Sequence, residues 1–235
     1  MGMVIFERSG TFDPTVYRLV VGDVLQVICV GGGSSGDGVT GALSNATLVN
    51  GIAGGTSSFG SHVSSDDGYS IGTGGKSVAT AGASSYAAYA AGGAGGYLPG
   101  VHMFGGNGGN GNGTPASGLG GQGGSSNASP SQFCNTRGNG NKGAGYGCAM
   151  NSQSTGAVVD GAGGNGYGAG GGGVAYTSSS KSIAGYGGDA GKFMLGTVIL
   201  PNLYPIAVTV GAGGASVGAD YASGRGADGV VIVTW

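Results

Sequence analysis

Fifty of the 61 glycines fall between Gly31 and Gly191, so close to a third of that stretch has no side chain. Glycine gives up the most backbone freedom on folding and weakens helix and strand interiors alike, which excludes a helical bundle or a doubly wound α/β domain. Collagen is excluded as well, because there is no Gly-X-Y frame and only 6 prolines occur. Nor is this a charge-solvated disordered chain: charged residues make up 8% and apolar ones 39%, at a net charge of −2. With no basic field, no nucleic-acid partner is expected. No apolar run approaches the ~18 residues of a membrane span, so no membrane insertion is expected. Residues 1–8 lack the basic and apolar regions of a signal peptide, and Phe6 stands where a myristoylation site needs Ser or Thr.

The two ends read differently from the middle. Val16 to Val21 and Val24 to Val30 are β-branched runs around the turn signal Gly22-Asp23, which predicts a hairpin. Near the C-terminus, Lys192 to Leu195, Thr197 to Leu200, Tyr204 to Val210 and Gly229 to Trp235 read as strands. An isolated hairpin is marginal in water, so the two ends are expected to pair. The fold class expected is all-β plus polyproline II. Residues 1–30 and 192–235 jointly form an antiparallel β-sandwich, and residues 31–191 form an inserted glycine-rich region.

Within that insertion eight glycine runs alternate with segments richer in aromatics, without a fixed period. Glycine-rich sequence fits a flexible linker. It equally fits a bundle of polyproline II helices, which have three residues per turn and no internal hydrogen bonds, and must therefore bond laterally to close neighbours. Runs of similar length, each returned by an aromatic-bearing segment, favour the bundle.

Motif matches are expected by chance in such a chain. Gly161 to Gly166 satisfies GxGxxG without a βαβ context, and Gly75-Lys76-Ser77 imitates the end of a P-loop although Ser70 stands where its first glycine belongs. Gly32 to Gly36 fits GxSxG after a strand, but no helix can follow it. His62, although Asp66 and Asp67 follow it, and His102 read as loop histidines, and the acidic residues as turn residues beside glycine. Cys29 reads as a small core residue. Cys134 and Cys148 are either a disulfide pair or two free thiols. No catalytic residue, metal or cofactor is expected.

Aromatics are the remaining candidates for recognition. Tyr146, Tyr167 and Tyr186 sit inside glycine runs and are expected to cover their outside. Phe59, Tyr69, Tyr86, Tyr89, Tyr97, Phe104, Phe133 and Tyr176, with His102, lie in the returning segments among Ser, Asn and Gly. That is the composition of an adaptable binding surface, and equally of loop tips folded on themselves.

Phe6 to Phe12 with the following Val-rich stretch into Gly31-Gly32-Gly33, then Gly188 to Phe193, Tyr204 to Gly214 and Gly226 to Trp235, resemble the ends of glycine-rich domains in bacteriophage tail-fibre and minor tail proteins. The alternation between them resembles the polyglycine-sandwich tip adhesins of T-even-like phages. The resemblance implies a virion location at a tail or fibre tip and non-catalytic binding of a bacterial surface protein or glycan through the aromatic segments. It also implies other tail proteins as partners and a homotrimer. The alternative is a structural virion protein, a decoration or assembly cap, whose loops touch only other virion proteins.

Overall fold

The computed structural model describes residues 2–41, 45–70, 72–75, 78–80, 87–89, 91–97, 151–152, 163–164, 166–177 and 182–235. Among them there is no α-helix, a 3-10 turn lies at Ser65–Asp67, and every strand pair is antiparallel. The largest sheet joins both ends of the chain in the order β1 (Met3–Phe6), β16 (Val230–Thr234), β3 (Val24–Val30), β14 (Lys192–Ile199) and β8 (Tyr69–Ser70). A second sheet orders β2 (Gly10–Phe12), β15 (Ile206–Thr209), β6 (Ser58–Phe59) and β7 (Val63–Ser64). Residues 58–70 thus supply edge strands to both sheets although composition groups them with the middle.

The alternation of β3 explains how the sheets meet. Leu25, Val27 and Cys29 point into one buried cluster with Phe12 and Phe59 of the second sheet and Val231 and Val233 of β16. β14 runs unbroken through Gly196, because the missing side chain there leaves room for Val63, whose Cγ2 would lie 2.5 Å from a Cβ. The expected break after Leu195 is therefore absent. Val16 to Val21 is not a strand, and the expected hairpin does not form. Asp13 accepts from the Thr15 hydroxyl and N–H at 2.7 and 2.9 Å, bonds that hold its carboxyl below the ordinary range and wind the chain into successive turns. Arg18 takes φ 58° to leave them. Val16, Val20 and Val21 remain exposed. Turn chemistry at Asp13-Pro14-Thr15 outweighs the β propensity of the valines.

Cys29 is fully buried, and desolvation pushes its thiol to about 12. The folded protein holds this proton more tightly than the unfolded chain. The resulting stability is complete below the ordinary value of 9.0 and is lost as pH rises through about 12. Peptide mapping after iodoacetamide treatment at pH 8 is expected to find Cys29 unmodified in the native protein and alkylated after denaturation. Alkylation at equal rates in both states would contradict the burial.

Glycine runs at 31–37, 51–56, 72–75, 91–96, 168–174, 185–191, 211–217 and 223–229 lie outside any strand, and backbone hydrogen bonds link each to others. The run 31–37 sets the pattern. The N–H groups of Gly31, Ser34 and Asp37 donate to Lys192, Asp189 and Tyr186 at 2.9, 2.9 and 2.8 Å. Those of Gly32 and Ser35 go to Gly55 and Ile52, and those of Gly33 and Gly36 to Ala227 and Gly224. Every third residue serves the same neighbour, and each neighbour is read backwards in steps of three. The bonds of Gly191, Gly188 and Gly185 to Gly168, Gly171 and Val174 repeat this spacing.

Where these runs end, short strands pair: β4 (Gly38–Thr40) with β5 (Thr47–Val49), β10 (Ala87–Tyr89) with β9 (Val78–Thr80) and β11 (Asn151–Ser152), and β12 (Ala175–Thr177) with β13 (Ser182–Ala184). Val39, Ala46, Val174, Tyr176 and Ile183 form a buried cluster among them.

Candidate functional site

The short strand pairs gather at one end of the runs. β13 lies beside β5 and β9, and β12 beside β9 and β10. Val39 bridges to Tyr221, and the Asp220 carboxylate accepts from the Gly41 N–H at 2.7 Å, tying the segment after residue 217 to the β4–β5 pair. The strand pairs β4–β5, β9–β10 and β12–β13 and the segment 217–221 therefore lie together. The turns at 60–62 and 200–205 adjoin the two larger sheets instead.

The aromatic candidates divide. Phe59 has no exposed surface and packs edge-on to Phe12 with ring centroids 5.5 Å apart. Tyr97 is buried against Phe193 at 5.6 Å, and desolvation raises its hydroxyl above the ordinary value. Tyr176 is buried beside Tyr221 at 5.7 Å. These three are interior residues that present no surface to a partner, because strand pairing in β6 and β12, and the Tyr97–Tyr167 bridge, turn their rings inward. Tyr69 is 81% exposed, but on β8 at the edge of the largest sheet. Tyr89 lies on β10, within the gathered strand pairs. Tyr86, His102, Phe104 and Phe133 lie outside the described residues, as do Tyr146, Cys134 and Cys148. Of the tyrosines expected to cover the runs, Tyr186 is exposed. Tyr167 is half-buried and donates its hydroxyl to Glu7; burial first and Glu7 second push it to about 12.

Acidic side chains turn out to do more than sit in turns. The Asp37 carboxylate accepts from the Gly51 N–H through Oδ1 and the Tyr186 N–H through Oδ2, both at 2.8 Å, and so joins two runs that share no backbone hydrogen bond among the described residues. Asp189 accepts from Gly74 and Asp228 from Gly213 in the same way, each at 2.8 Å. A carboxylate here supplies the oxygen that a neighbouring backbone would otherwise provide. An Asp beside glycine at the border of a run was the only signal for this in the sequence. Replacing Asp37 by Ala leaves two N–H groups without that partner, and an expected loss of about 2 to 3 kcal/mol follows from charge-assisted bonds of this kind. Urea unfolding measures it; Asp37→Asn, which keeps one acceptor, is expected to lose about half as much.

Ser34 of the GxSxG match lies in the middle of a run, not on a strand-to-helix turn. Among the described residues no three His, Cys, Asp or Glu side chains gather as a metal site, and no helix is long and apolar enough to cross a membrane. No family model matches the chain, and no curated protein or solved structure matches it.

Proposed function

We propose that the protein is a non-catalytic adhesin of a phage tail or fibre tip, which binds a bacterial surface protein or glycan through the loops at the gathered end of the glycine runs. In this reading the two larger sheets form a β-sandwich base, and the runs are polyproline II helices standing on it. The three-residue recurrence of their lateral bonds supports that assignment, since three residues per turn returns each N–H to the same side. Backbone packed on several sides makes a stiff stalk, and a stiff stalk presents variable loops at little ordering cost. The observation that carries the function is the gathering of the strand pairs β4–β5, β9–β10 and β12–β13, with Tyr89 on β10, beside the segment 217–221 at one end of the glycine runs.

Binding of the full chain to bacteria, followed by flow cytometry over a panel of strains, tests this. The triple variant Tyr86→Ala, Tyr89→Ala, Phe104→Ala is expected to bind at least about tenfold more weakly, as for loss of aromatic anchors. Tyr204→Ala, at an exposed residue beside the base, is expected to bind as the parent does. Absence of binding to any strain would overturn the adhesin reading, and equal binding by the triple variant would remove these loops from it.

A further inference from the structure

The geometry points to a second binding site, for a neutral saccharide, in a cleft on the flank of the glycine runs. The run 31–37 is surrounded by 185–191, 168–174, 223–229, 211–217 and 51–56. Each of these is hydrogen-bonded to the next around the ring, as in Gly188 to Gly171, Ala227 to Ala169, Gly226 to Gly214 and Gly55 to Ala212. Between the first and the last there is no such bond. Among the described residues no sixth neighbour stands there, and in its place lies a cleft of about 450 Å³. From residue 31 to 40 only Ser34, Asp37 and Thr40 are not buried, a spacing of three that marks the face turned to this gap.

One end of the cleft is closed, because Asp37 spans it from Gly51 to Tyr186. An extended peptide filling the sixth position would meet a carboxylate already holding the wall N–H groups it needs. A compact ligand would not. Three residues further along one wall from Tyr186, Asp189 lines the cleft with an equivalent N–H group, which makes no hydrogen bond among the described residues. The Ser34 hydroxyl on the floor and the exposed Asn50 amide on the rim likewise have no partner among the described residues, and Tyr186 stands at the rim with half its surface exposed. Mixed donors and acceptors beside an aromatic ring suit a ligand whose hydroxyls both give and accept, and whose C–H face lies on the ring. Among the described residues no Lys or Arg lines the cleft, which disfavours phosphate or sulfate groups. The volume fits one or two sugar rings. The site is on the flank, so it stands whether or not the loop end binds a cell.

Saturation-transfer NMR on the full chain tests the assignment with glucose, galactose, rhamnose, N-acetylglucosamine and lactose, each up to about 50 mM, an affinity range of only a few kcal/mol. At least one sugar is expected to bind. Tyr186→Ala is expected to weaken it at least about tenfold and Asn50→Ala about threefold, while Tyr186→Phe, which keeps the ring, stays within about twofold. Circular dichroism of each variant separates lost binding from lost folding; if Tyr186→Ala fails to fold, Asn50→Ala decides alone. Failure of every sugar, undiminished binding by the variants, or binding of methylammonium in place of sugars would overturn the proposal.

Discussion

Adding one methyl group at Gly33 is expected to remove most of the stability of the folded state. Gly33 lies at the centre of the ringed run, donating to Ala227 at 2.9 Å and accepting from Gly214 at 2.8 Å. A Cβ at this position would fall on the Ala169 carbonyl, well inside the 3.0 Å that real Cβ atoms observe, with the Gly168 carbonyl also close. The obstacle is backbone that is itself bonded to further runs, so no side chain can rotate aside. Overpacking a side-chain core costs about 1 to 3 kcal/mol because neighbours yield. Here the expected loss for Gly33→Ala is about 4 kcal/mol or more, a large part of the ~5 to 15 kcal/mol that holds a domain together. Gly163→Ala is the control: among the described residues its Cβ would meet nothing nearer than the Arg225 carbonyl at 3.6 Å, and the expected change is within about 0.5 kcal/mol. Urea unfolding followed by Trp235 fluorescence compares the two. Equal midpoints would show that the run 31–37 does not pack as a core.

That contrast marks how far the sequence could be read. The distribution of glycine located the region where backbone packs on backbone, because only residues without a Cβ tolerate carbonyl oxygens so near. It could not say which glycines are enclosed and which are open, since Gly33 and Gly163 both sit in glycine-rich runs and differ only in their neighbours from other parts of the chain. The strands at Val24–Val30 and Val230–Thr234 were legible from their β-branched runs. Val16 to Val21 misled for the same reason, because a local turn network at Asp13 overrode propensity. Asp37 was visible only as an acid beside glycine. Its role as a strut depends on Gly51 and Tyr186, which lie 14 and 149 residues away in sequence.

Phe59 shows the same limit from the side of function. Its setting, Ser57-Ser58-Phe59-Gly60-Ser61, has the composition of a recognition loop, yet the residue pairs with Val208 on one side and Val63 on the other. Those two registers turn its ring into the cluster with Phe12, where no surface remains exposed. Phe59→Ala therefore empties a site walled by two sheets, and the expected loss is about 3 to 5 kcal/mol, the range for deleting a buried aromatic ring. Tyr69→Ala removes a ring that is 81% exposed and is expected to change stability by less than about 0.5 kcal/mol. Thermal or urea unfolding separates the two variants. Cell binding adds an arm that rests on the proposed adhesin function: at a temperature where Phe59→Ala remains folded, its binding should equal that of the parent. A Phe59→Ala protein of unchanged stability that no longer bound cells would return the residue to the contact surface. A strongly destabilised one that still binds when folded keeps Phe59 in the buried cluster with Phe12 and off the contact surface.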